Sequence, residues 1–311
     1  MMRDRSSHCN VDGDVVVYAA GFASQSNEYW VAQDVFECKR EATKFCSRYD
    51  IDPEEIETRI VPEPIAFCLE TVKRMVAGIV KESGHESYTL VLTGKDNFRV
   101  EAATIQPYKG HRKAAKPVHY DKIREYMIAV LNTIVIDGEE ADDYMSCRAV
   151  SHNETICTID KDLNNTSGWH YNWQQKEVYW VSEREANQNF WVQMLTGDAT
   201  DNIAGLFRIT GTKCSAAMKQ EVRGCLTYQD MRRVVIETYA RCLEKLANKM
   251  EVAYVEDEEL HSLLTETGQL LWMRRSVGEL WSTGYVEPQH EDTAGLAATE
   301  SNRFGVRDGG S

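Results

Sequence analysis

The chain has 311 residues, of which 42% are hydrophobic and 27% charged, which allows a sizeable core and roughly one large or two modest domains. No apolar run approaches the ~18 residues of a membrane span, and the N-terminus has no apolar stretch of the signal-peptide type. The formal net charge of −14, taken alone, argues against a nucleic-acid-binding protein. These features predict a soluble, cytoplasmic protein with no membrane partner.

The cysteines and histidines lack the spacing of common metal and redox sites. None of the nine cysteines lies in a CxxC pair, and the eight histidines form no HxxxH or HxH pair. A zinc ribbon, a redox pair and a histidine-rich metal site are therefore disfavoured, and we expect buried, reduced thiols.

The first half of the chain alternates segments typical of helices and strands. An apolar run at residues 15–23 follows Asp-Gly-Asp, which makes Asp14 a candidate helix N-cap. Apolar residues with a helical period cover 64–81, and a further helix is predicted over 138–150. Three short apolar runs predict buried strands: 88–93, 134–136 and 155–159.

Strands separated by helices predict an α/β fold with a mostly parallel central sheet flanked by helices. In such sheets, ligands gather beyond the carboxyl ends of the strands. Acidic residues follow two of the predicted strands, at 140–143 and 160–162, so we expect them to meet in space. The fold also needs a strand before Asp12, where residues 6–11 are poorly apolar. This strand is either short and irregular or diverged.

The second half of the chain is predicted to be mainly helical. Residues 169–181 are rich in aromatic and β-branched side chains, which predicts a hairpin. Residues 286–311 are polar and glycine-rich, which predicts a disordered tail. Helices are predicted over three segments: 185–195, 213–221 and 229–250.

Three acidic motifs carry the predicted chemistry. They are Gly-Glu-Glu-Ala-Asp-Asp at 138–143, Asp-Lys-Asp at 160–162 and Gly-Asp-Ala-Thr-Asp-Asn at 197–202. Converging carboxylates repel one another, so a site that gathers several is usually built around divalent cations. Oxygen-only ligands favour Mg²⁺ or Mn²⁺, and carboxylate-held metal pairs are typical of nucleases and polymerases.

Each of these segments could also have a purely structural role, without binding a metal ion or a phosphate. The acids at 140–143 could simply favour the first turn of a helix through its dipole, and 160–162 could be a surface turn. The glycine-bounded loop at 205–213 could hold a phosphate with the help of Lys213, or could be a plain helix–turn–helix corner. Residues 95–124 are locally basic, and a basic strip on an acidic body can hold a phosphate backbone.

Further motifs precede the acidic ones: Asp-Gly at 12–13, Phe-Arg at 98–99 and Pro-Tyr-Lys-Gly-His-Arg at 107–112. The whole series, over roughly residues 8–225, resembles the 5′-nuclease (flap endonuclease) family, in particular bacteriophage 5′→3′ exonucleases and the 5′-nuclease domain of bacterial DNA polymerase I. The resemblance implies a PIN-like catalytic core with a helical arch at 1–195. It further implies a helical DNA-binding subdomain with a helix–three-turn–helix element at 196–285, followed by the tail at 286–311.

The resemblance also assigns roles to residues. Two Mg²⁺ ions, for which Mn²⁺ could substitute, would be held by nine carboxylates: Asp12, Asp96, Glu140, Asp142, Asp143, Asp160, Asp162, Asp198 and Asp201. The catalytic residues on the arch, contacting the scissile phosphate, would be Lys109 and Arg112. The DNA-binding residues would be Arg99, Tyr108, Lys109, Arg112, Gly205, Gly211 and Lys213. The loop at 205–213 would be the place for a K⁺ ion.

The implied activity is metal-dependent hydrolysis of DNA phosphodiesters at 5′ ends, with RNA primers as further substrates, in phage replication and recombination. The implied partners are duplex DNA with a 5′ end or flap, an RNA–DNA hybrid, and replisome proteins. The protein would act as a monomer, in the host cytoplasm if it is phage-encoded.

One departure from the family motif motivates an alternative. Gly94 falls where the family often carries an Asp after a strand, so either Asp96 replaces this ligand or the ligand is missing. Together with the weak first strand, this allows a catalytically degenerate, nuclease-like DNA-binding scaffold. A third hypothesis, a phosphatase with Asp12 as nucleophile, leaves the later acids and the basic segment without a role.

Overall fold

The computed structural model describes residues 4–111, 115–251 and 257–284. Over these residues a six-stranded sheet contains the following strands: His8–Asp12 (β1), Ser87–Thr93 (β5), Thr133–Ile136 (β6), Thr155–Cys157 (β7), Gly168–Asn172 (β8) and Glu177–Val181 (β9). A three-stranded antiparallel sheet contains Gln25–Val31 (β2), Asp34–Phe36 (β3) and Glu57–Pro62 (β4). The sequence analysis did not predict this smaller sheet.

The described residues also form eleven α-helices: Gly13–Ala23 (α1), Lys39–Tyr49 (α2), Ile65–Ser83 (α3), Phe98–Ala102 (α4), Tyr120–Val130 (α5), Ala141–His152 (α6), Glu183–Thr196 (α7), Leu206–Thr210 (α8), Ala216–Gly224 (α9), Tyr228–Met250 (α10) and Asp257–Leu271 (α11). The predicted helices and the predicted hairpin are confirmed to within a few residues. The helix predicted at 213–221 begins later because the Ser215 hydroxyl caps it by accepting the N–H of Met218.

The large sheet is parallel except for its last hairpin, which confirms the predicted α/β fold. Its strand order is β6-β5-β1-β7-β8-β9, and only β8 and β9 pair antiparallel. Helices α1, α3 and α5 pack together over one face, where Val17, Val72 and Met127 are fully buried. Helix α6 covers the other face through Ala141 and Met145.

The central strand is β1, the segment whose composition predicted a short or irregular strand. Cys9 and Val11 are fully buried. The polar residues of the strand find partners: the Asn10 amide donates to Glu154 at 2.7 Å, and the His8 ring contacts the hydroxyls of Ser87 and Thr89. Polar residues are tolerated in a buried strand because their hydrogen bonds are made across the sheet.

A second core lies among the helices from α7 onward. It is built from aromatic side chains, with Phe190, Trp191, Trp272 and Trp281 in mutual edge contacts. Among the described residues, no helix combines the length and the apolarity that crossing a membrane requires. The predicted tail at 286–311 lies outside the described residues.

The structure differs from two local predictions. The resemblance implied a helical arch around Lys109, but the described residues there, 103–111 and 115–119, form turns and irregular chain rather than helix. The N-cap of α1 is Asp12, whose carboxylate accepts the N–H of Val15, and the prediction of Asp14 was wrong. Asp14 lies in the first turn of the helix and accepts hydrogen bonds from the N–H of Thr93 and from Arg124.

Candidate active site

A cleft of about 760 Å³ opens at the carboxyl ends of the parallel strands. Seven of the nine carboxylates predicted as metal ligands line it: Asp12, Glu140, Asp142, Asp160, Asp162, Asp198 and Asp201. Asp96 and Asp143 are not part of its lining. Acids that are far apart in the sequence thus share one cavity because parallel strands end at the same edge of the sheet.

Local backbone geometry places these acids at the ends of secondary-structure elements. Asp12 is the last residue of β1 and the N-cap of α1, and Glu140 is the N-cap of α6. Asp160 caps a 3₁₀ turn at Lys161–Asn165, and Asp198 accepts two backbone N–H groups in the turn after α7. N–H groups at the start of a helix or turn hold the carboxylates of Asp12, Asp160 and Asp198 in place. The Glu140 carboxylate is instead held by Asn97, Tyr108 and Lys109.

One group of carboxylates forms what we call the inner end of the cleft: Asp12, Asp142, Asp160 and Asp162. Asp12 is 3% exposed and accepts hydrogen bonds from Val15 N–H at 3.0 Å and from the Thr158 hydroxyl at 2.8 Å. Burial, reinforced by the charges of Asp14 and Asp160, raises the pKa of Asp12 to about 7 despite these two hydrogen bonds.

Two further inner carboxylates, Asp142 and Asp162, also have raised pKa values. Desolvation in the cleft, followed by the charges of Asp12 and Glu140, raises the pKa of Asp142 well above its usual range. Desolvation and the neighbouring Asp160 and Asp198 raise the pKa of Asp162 to about 7. The inner end therefore holds more negative charge than the surrounding protein stabilises.

The remaining cleft carboxylates form what we call the outer end: Glu140, Asp198 and Asp201. The Lys109 ammonium lies 2.5 Å from Glu140 Oε1 and 3.7 Å from Asp201 Oδ2. The Tyr108 hydroxyl lies 3.0 Å from Glu140 Oε2 and 3.0 Å from Asp201 Oδ2. A cation and a hydroxyl from one segment of the chain thus join two acids that come from different motifs.

At the outer end, the pKa values of Glu140 and Asp198 are shifted downward instead. Burial alone would raise the pKa of Glu140, but the charges of Lys109 and Arg99 outweigh it and lower that pKa. For Asp198, desolvation is outweighed by the backbone N–H groups of Asp201 and Thr200, and its pKa is lowered. The protein itself therefore stabilises the ionised forms of Glu140 and Asp198.

Asp143 and Arg99 do not have the surroundings that the family resemblance implied. Asp143 is fully buried, and both of its oxygens accept hydrogen bonds from the Arg99 guanidinium. Arg99 is 1% exposed, so the structure contradicts its predicted contact with DNA. A guanidinium buried against a carboxylate cannot reach a phosphate backbone without leaving that carboxylate unpaired.

Asp96 does not take the place of the ligand expected near Gly94. It is exposed on the loop before α4, with a positive φ of 61°, and it does not line the cleft. Gly94 is packed so tightly that a Cβ atom there would overlap the Asp137 carboxylate, which accepts the N–H of Lys95. Position 94 therefore has no room for a ligand side chain, and Asp96 lies apart from the seven predicted ligands that line the cleft.

The predicted DNA-binding residues fall into separate environments. Tyr108 is 8% exposed, and its hydroxyl is engaged by the outer carboxylates. Gly205 is buried. Its backbone lies so close to the backbone of Thr196 that a Cβ atom would not fit. Gly211 ends α8 in the left-handed region with φ of 74°, and Lys213 is exposed in the following turn. Arg112 lies outside the described residues.

Sequence reasoning missed the apolar walls of the cleft. Tyr18 and Phe22 line it from α1 and are 36% and 46% exposed. They follow Asp14 at intervals of four residues, so the helical period could have placed all three on one face. Leu271 and Met273 line the cleft from the C-terminal region, and no sequence signal connected them to the acids.

The donor set fits a hard divalent cation that keeps part of its water shell. Within the described ranges, no three acidic, histidine or cysteine side chains converge as a ready-made ligand cage. Mg²⁺ is commonly bound through one or two carboxylates and several waters, so an open cleft lined by carboxylates is compatible with it. The residues that would hold it are the inner carboxylates Asp12, Asp142, Asp160 and Asp162.

Comparisons with known proteins add a likeness at the level of solved structures. No protein-family model matches the chain, and no curated protein sequence matches it. A mutant of the bacteriophage T5 5′-exonuclease matches with 13% identity and a TM-score of 0.38, over 85% of this chain and 99% of that chain. A bacteriophage T5 protein co-crystallised with metal ions matches with 15% identity and a TM-score of 0.38, over 85% and 98% of the two chains.

A third match is the bacteriophage T5 flap endonuclease in a pseudo-enzyme–product complex with DNA and metal ions. It has 13% identity and a TM-score of 0.39, over 85% of this chain and 98% of that chain. The matched structures come from the family that the order of the sequence motifs resembles.

Proposed function

We propose that this protein is a metal-dependent 5′-nuclease that hydrolyses DNA phosphodiesters near a 5′ end, as an exonuclease or flap endonuclease. The observation that carries the proposal is the inner end of the cleft, where Asp12, Asp142 and Asp162 have raised pKa values. Carboxylates that a protein gathers without compensating their charge are expected to bind cations. The order of the motifs along the chain indicates which chemistry those cations serve.

In this proposal the inner carboxylates would hold two Mg²⁺ ions, with Mn²⁺ able to substitute. When bound, such ions supply Lewis-acid activation of water and stabilisation of the leaving oxygen. Lys109, whose ammonium lies in the cleft between Glu140 and Asp201, would turn toward the phosphate and offset the charge that develops there. Tyr108 would keep these two carboxylates in place while the lysine moves. Arg112 would assist Lys109.

Binding of the duplex would use phosphate contacts, so it would be independent of sequence and would weaken as salt rises. The turn around Gly211 and Lys213 would contact the backbone, and a K⁺ ion could bind there. Flapped DNA, RNA–DNA hybrids and primers in phage replication and recombination are the substrates we infer. Replisome proteins would be the partners of a monomer in the cytoplasm.

The test is hydrolysis of a 5′-labelled flapped duplex in Mg²⁺ by Asp142→Asn. We expect a loss of at least about 10³-fold because the cation loses a ligand in the cleft. The matched control is Asp96→Asn, which removes an exposed carboxylate outside the cleft and should leave the rate unchanged. Hydrolysis by Asp142→Asn at the wild-type rate would show that the site assignment is wrong.

A second candidate function is a catalytically degenerate scaffold that binds DNA without cleaving it. One observation favours it: Gly94, where the family resemblance implied a ligand, has no room for a ligand side chain. This candidate predicts duplex binding by the wild-type protein and no product in either Mg²⁺ or Mn²⁺. Cleavage by the wild type in either ion rejects it.

A further inference from the structure

We propose that Asp143 is a positioning residue rather than a metal ligand. Paired with Arg99, it fastens residues 270–274 to helix α6, and in this way the C-terminal region becomes a wall of the active-site cleft. The adjacent Asp142 faces the cleft and would be the ligand. Only the metal-binding part of this inference rests on the proposed function.

The acceptor capacity of Asp143 is fully used inside the protein. Oδ1 accepts from Arg99 Nη2 at 2.9 Å and from the backbone N–H of Arg274 at 3.1 Å. Oδ2 accepts from Arg99 Nη1 and from the backbone N–H of Glu140 at 3.3 Å. A carboxylate offers about four lone-pair sites, so none remains for a cation.

Arg99 extends the contact from helix α6 to the chain that leaves helix α11. Its Nε donates to the carbonyl oxygen of Leu270 at 3.0 Å, and its Nη2 donates to that of Trp272 at 2.8 Å. One planar guanidinium thus holds a carboxylate on one side and two carbonyls on the other. A lysine could not do this because its ammonium is a single point donor.

The fastened segment is part of the cleft. Leu270, Leu271 and Met273 line the cavity beside the acids. The Arg274 guanidinium pairs with Glu139 at 2.6 Å and lies 3.9 Å from the centre of the Phe98 ring. The position of this wall therefore depends on the buried pair of Arg99 and Asp143.

Asp142 and Asp143 are adjacent on a helix, where consecutive side chains diverge by about 100°. Asp142 lines the cleft, whereas Asp143 is buried against the Arg99 guanidinium. The two aspartates should therefore respond in opposite ways to the same substitution. This contrast gives a matched pair of variants at neighbouring positions.

The experiment measures the melting temperature in EDTA and the binding of Mn²⁺ by calorimetry for each variant. For Asp143→Asn and Arg99→Met we expect a fall of about 10 °C, because each leaves a buried charge without its partner. For Asp142→Asn we expect no fall in EDTA, together with a loss of Mn²⁺ affinity of about tenfold or more. Arg99→Lys should lie between Arg99→Met and the wild type.

The decisive variant combines Arg99→Met with Asp143→Leu and so replaces the buried pair by apolar side chains. Because it leaves no buried charge unpaired, we expect it to melt above both single variants and to bind Mn²⁺ within about twofold of wild type. It should still melt below the wild type, since the backbone groups of Leu270, Trp272 and Arg274 lose their partners. A double variant that is no more stable than the singles, or that recovers stability but not Mn²⁺ binding, overturns the inference. If the wild type binds no Mn²⁺, the proposed function fails, and the melting temperatures still decide on the Arg99–Asp143 anchor.

Discussion

The two ends of the cleft treat their carboxylates in opposite ways. At the inner end the pKa of Asp12 is raised to about 7, whereas at the outer end the pKa of Glu140 is lowered although Glu140 is also buried. The difference comes from the positive charges of Lys109 and Arg99, which lie beside Glu140. Burial alone therefore does not decide the charge of an acid, and an external cation is expected at the end whose carboxylates have raised pKa values.

The largest expected effect is on the rate of DNA hydrolysis when a carboxylate of the inner end is removed. Asp12→Asn should lower the rate of DNA hydrolysis in Mg²⁺ by at least about 10³-fold, because it removes a carboxylate from the end that needs the cation. Asparagine is also a good N-cap, so helix α1 should remain intact. Asp198→Asn at the outer end should cost only about tenfold.

Single-turnover rates on a flapped duplex, with circular dichroism to check folding, measure both variants. Equal losses in Asp12→Asn and Asp198→Asn would mean that the two ends of the cleft do not differ in function.

The next largest effect concerns Lys109, whose ammonium lies between Glu140 and Asp201. Lys109→Met should lower the rate by about 10²-fold, because no ammonium remains to offset charge on the phosphate. The same change should increase the affinity of the outer end for Mn²⁺, since Glu140 and Asp201 lose the cation that lies between them. Calorimetry in the absence of DNA measures this gain.

Lys95→Met, at an exposed position outside the cleft, is the control for Lys109→Met. If Lys109→Met binds Mn²⁺ no better than wild type, Lys109 does not compete with cations for the outer carboxylates.

Much of this arrangement follows from sequence patterns, and the reason is topological. Acidic residues that directly follow neighbouring parallel strands lie at the same edge of the sheet. The positions of Asp142 and Asp160 in the cleft could therefore be predicted. The central strand β1 was harder to recognise because Asn10 and His8 are polar. Their hydrogen-bond partners, Glu154 and Thr89, are distant in the sequence.

The roles of Asp143, Arg99 and Gly94 could not be read from the sequence. Arg99 and Asp143 match a motif by residue type, but their burial depends on residues 270–274, which belong to no motif. Gly94 looked like a lost ligand, yet the Asp137 carboxylate fills the space where a side chain would lie. Such positions are decided by contacts between distant segments, which residue types and local spacing do not encode.

The pH dependence of stability gives a smaller effect with a definite sign. The folded-state pKa of Asp12 is raised from an ordinary value of 3.8 to about 7, so the folded protein binds more protons than the unfolded chain between these values. Without divalent cations, the free energy of unfolding should therefore fall as pH rises from about 4 to about 7 and level off above. Because each tenfold change in proton affinity is worth about 1.4 kcal/mol, we expect a drop in melting temperature on the order of 10 °C.

Thermal denaturation in EDTA at several pH values measures this drop. Saturating Mg²⁺ should flatten the curve, because it stabilises the ionised carboxylates of the inner end. A melting temperature in EDTA that rises through this pH window would contradict the raised pKa of Asp12.

The smallest effect concerns the hydroxyl that joins the two outer carboxylates. Tyr108→Phe should lower the free energy of unfolding by about 2 kcal/mol, because hydrogen bonds to charged groups are stronger than those to neutral ones. Tyr179→Phe is the matched control: its hydroxyl donates to the neutral Asn164 amide at 2.9 Å, and its loss should cost about 1 kcal/mol. Urea denaturation of both variants at neutral pH measures the difference. If Tyr108→Phe costs no more than Tyr179→Phe, the Tyr108 hydroxyl contributes nothing beyond an ordinary hydrogen bond to the outer end.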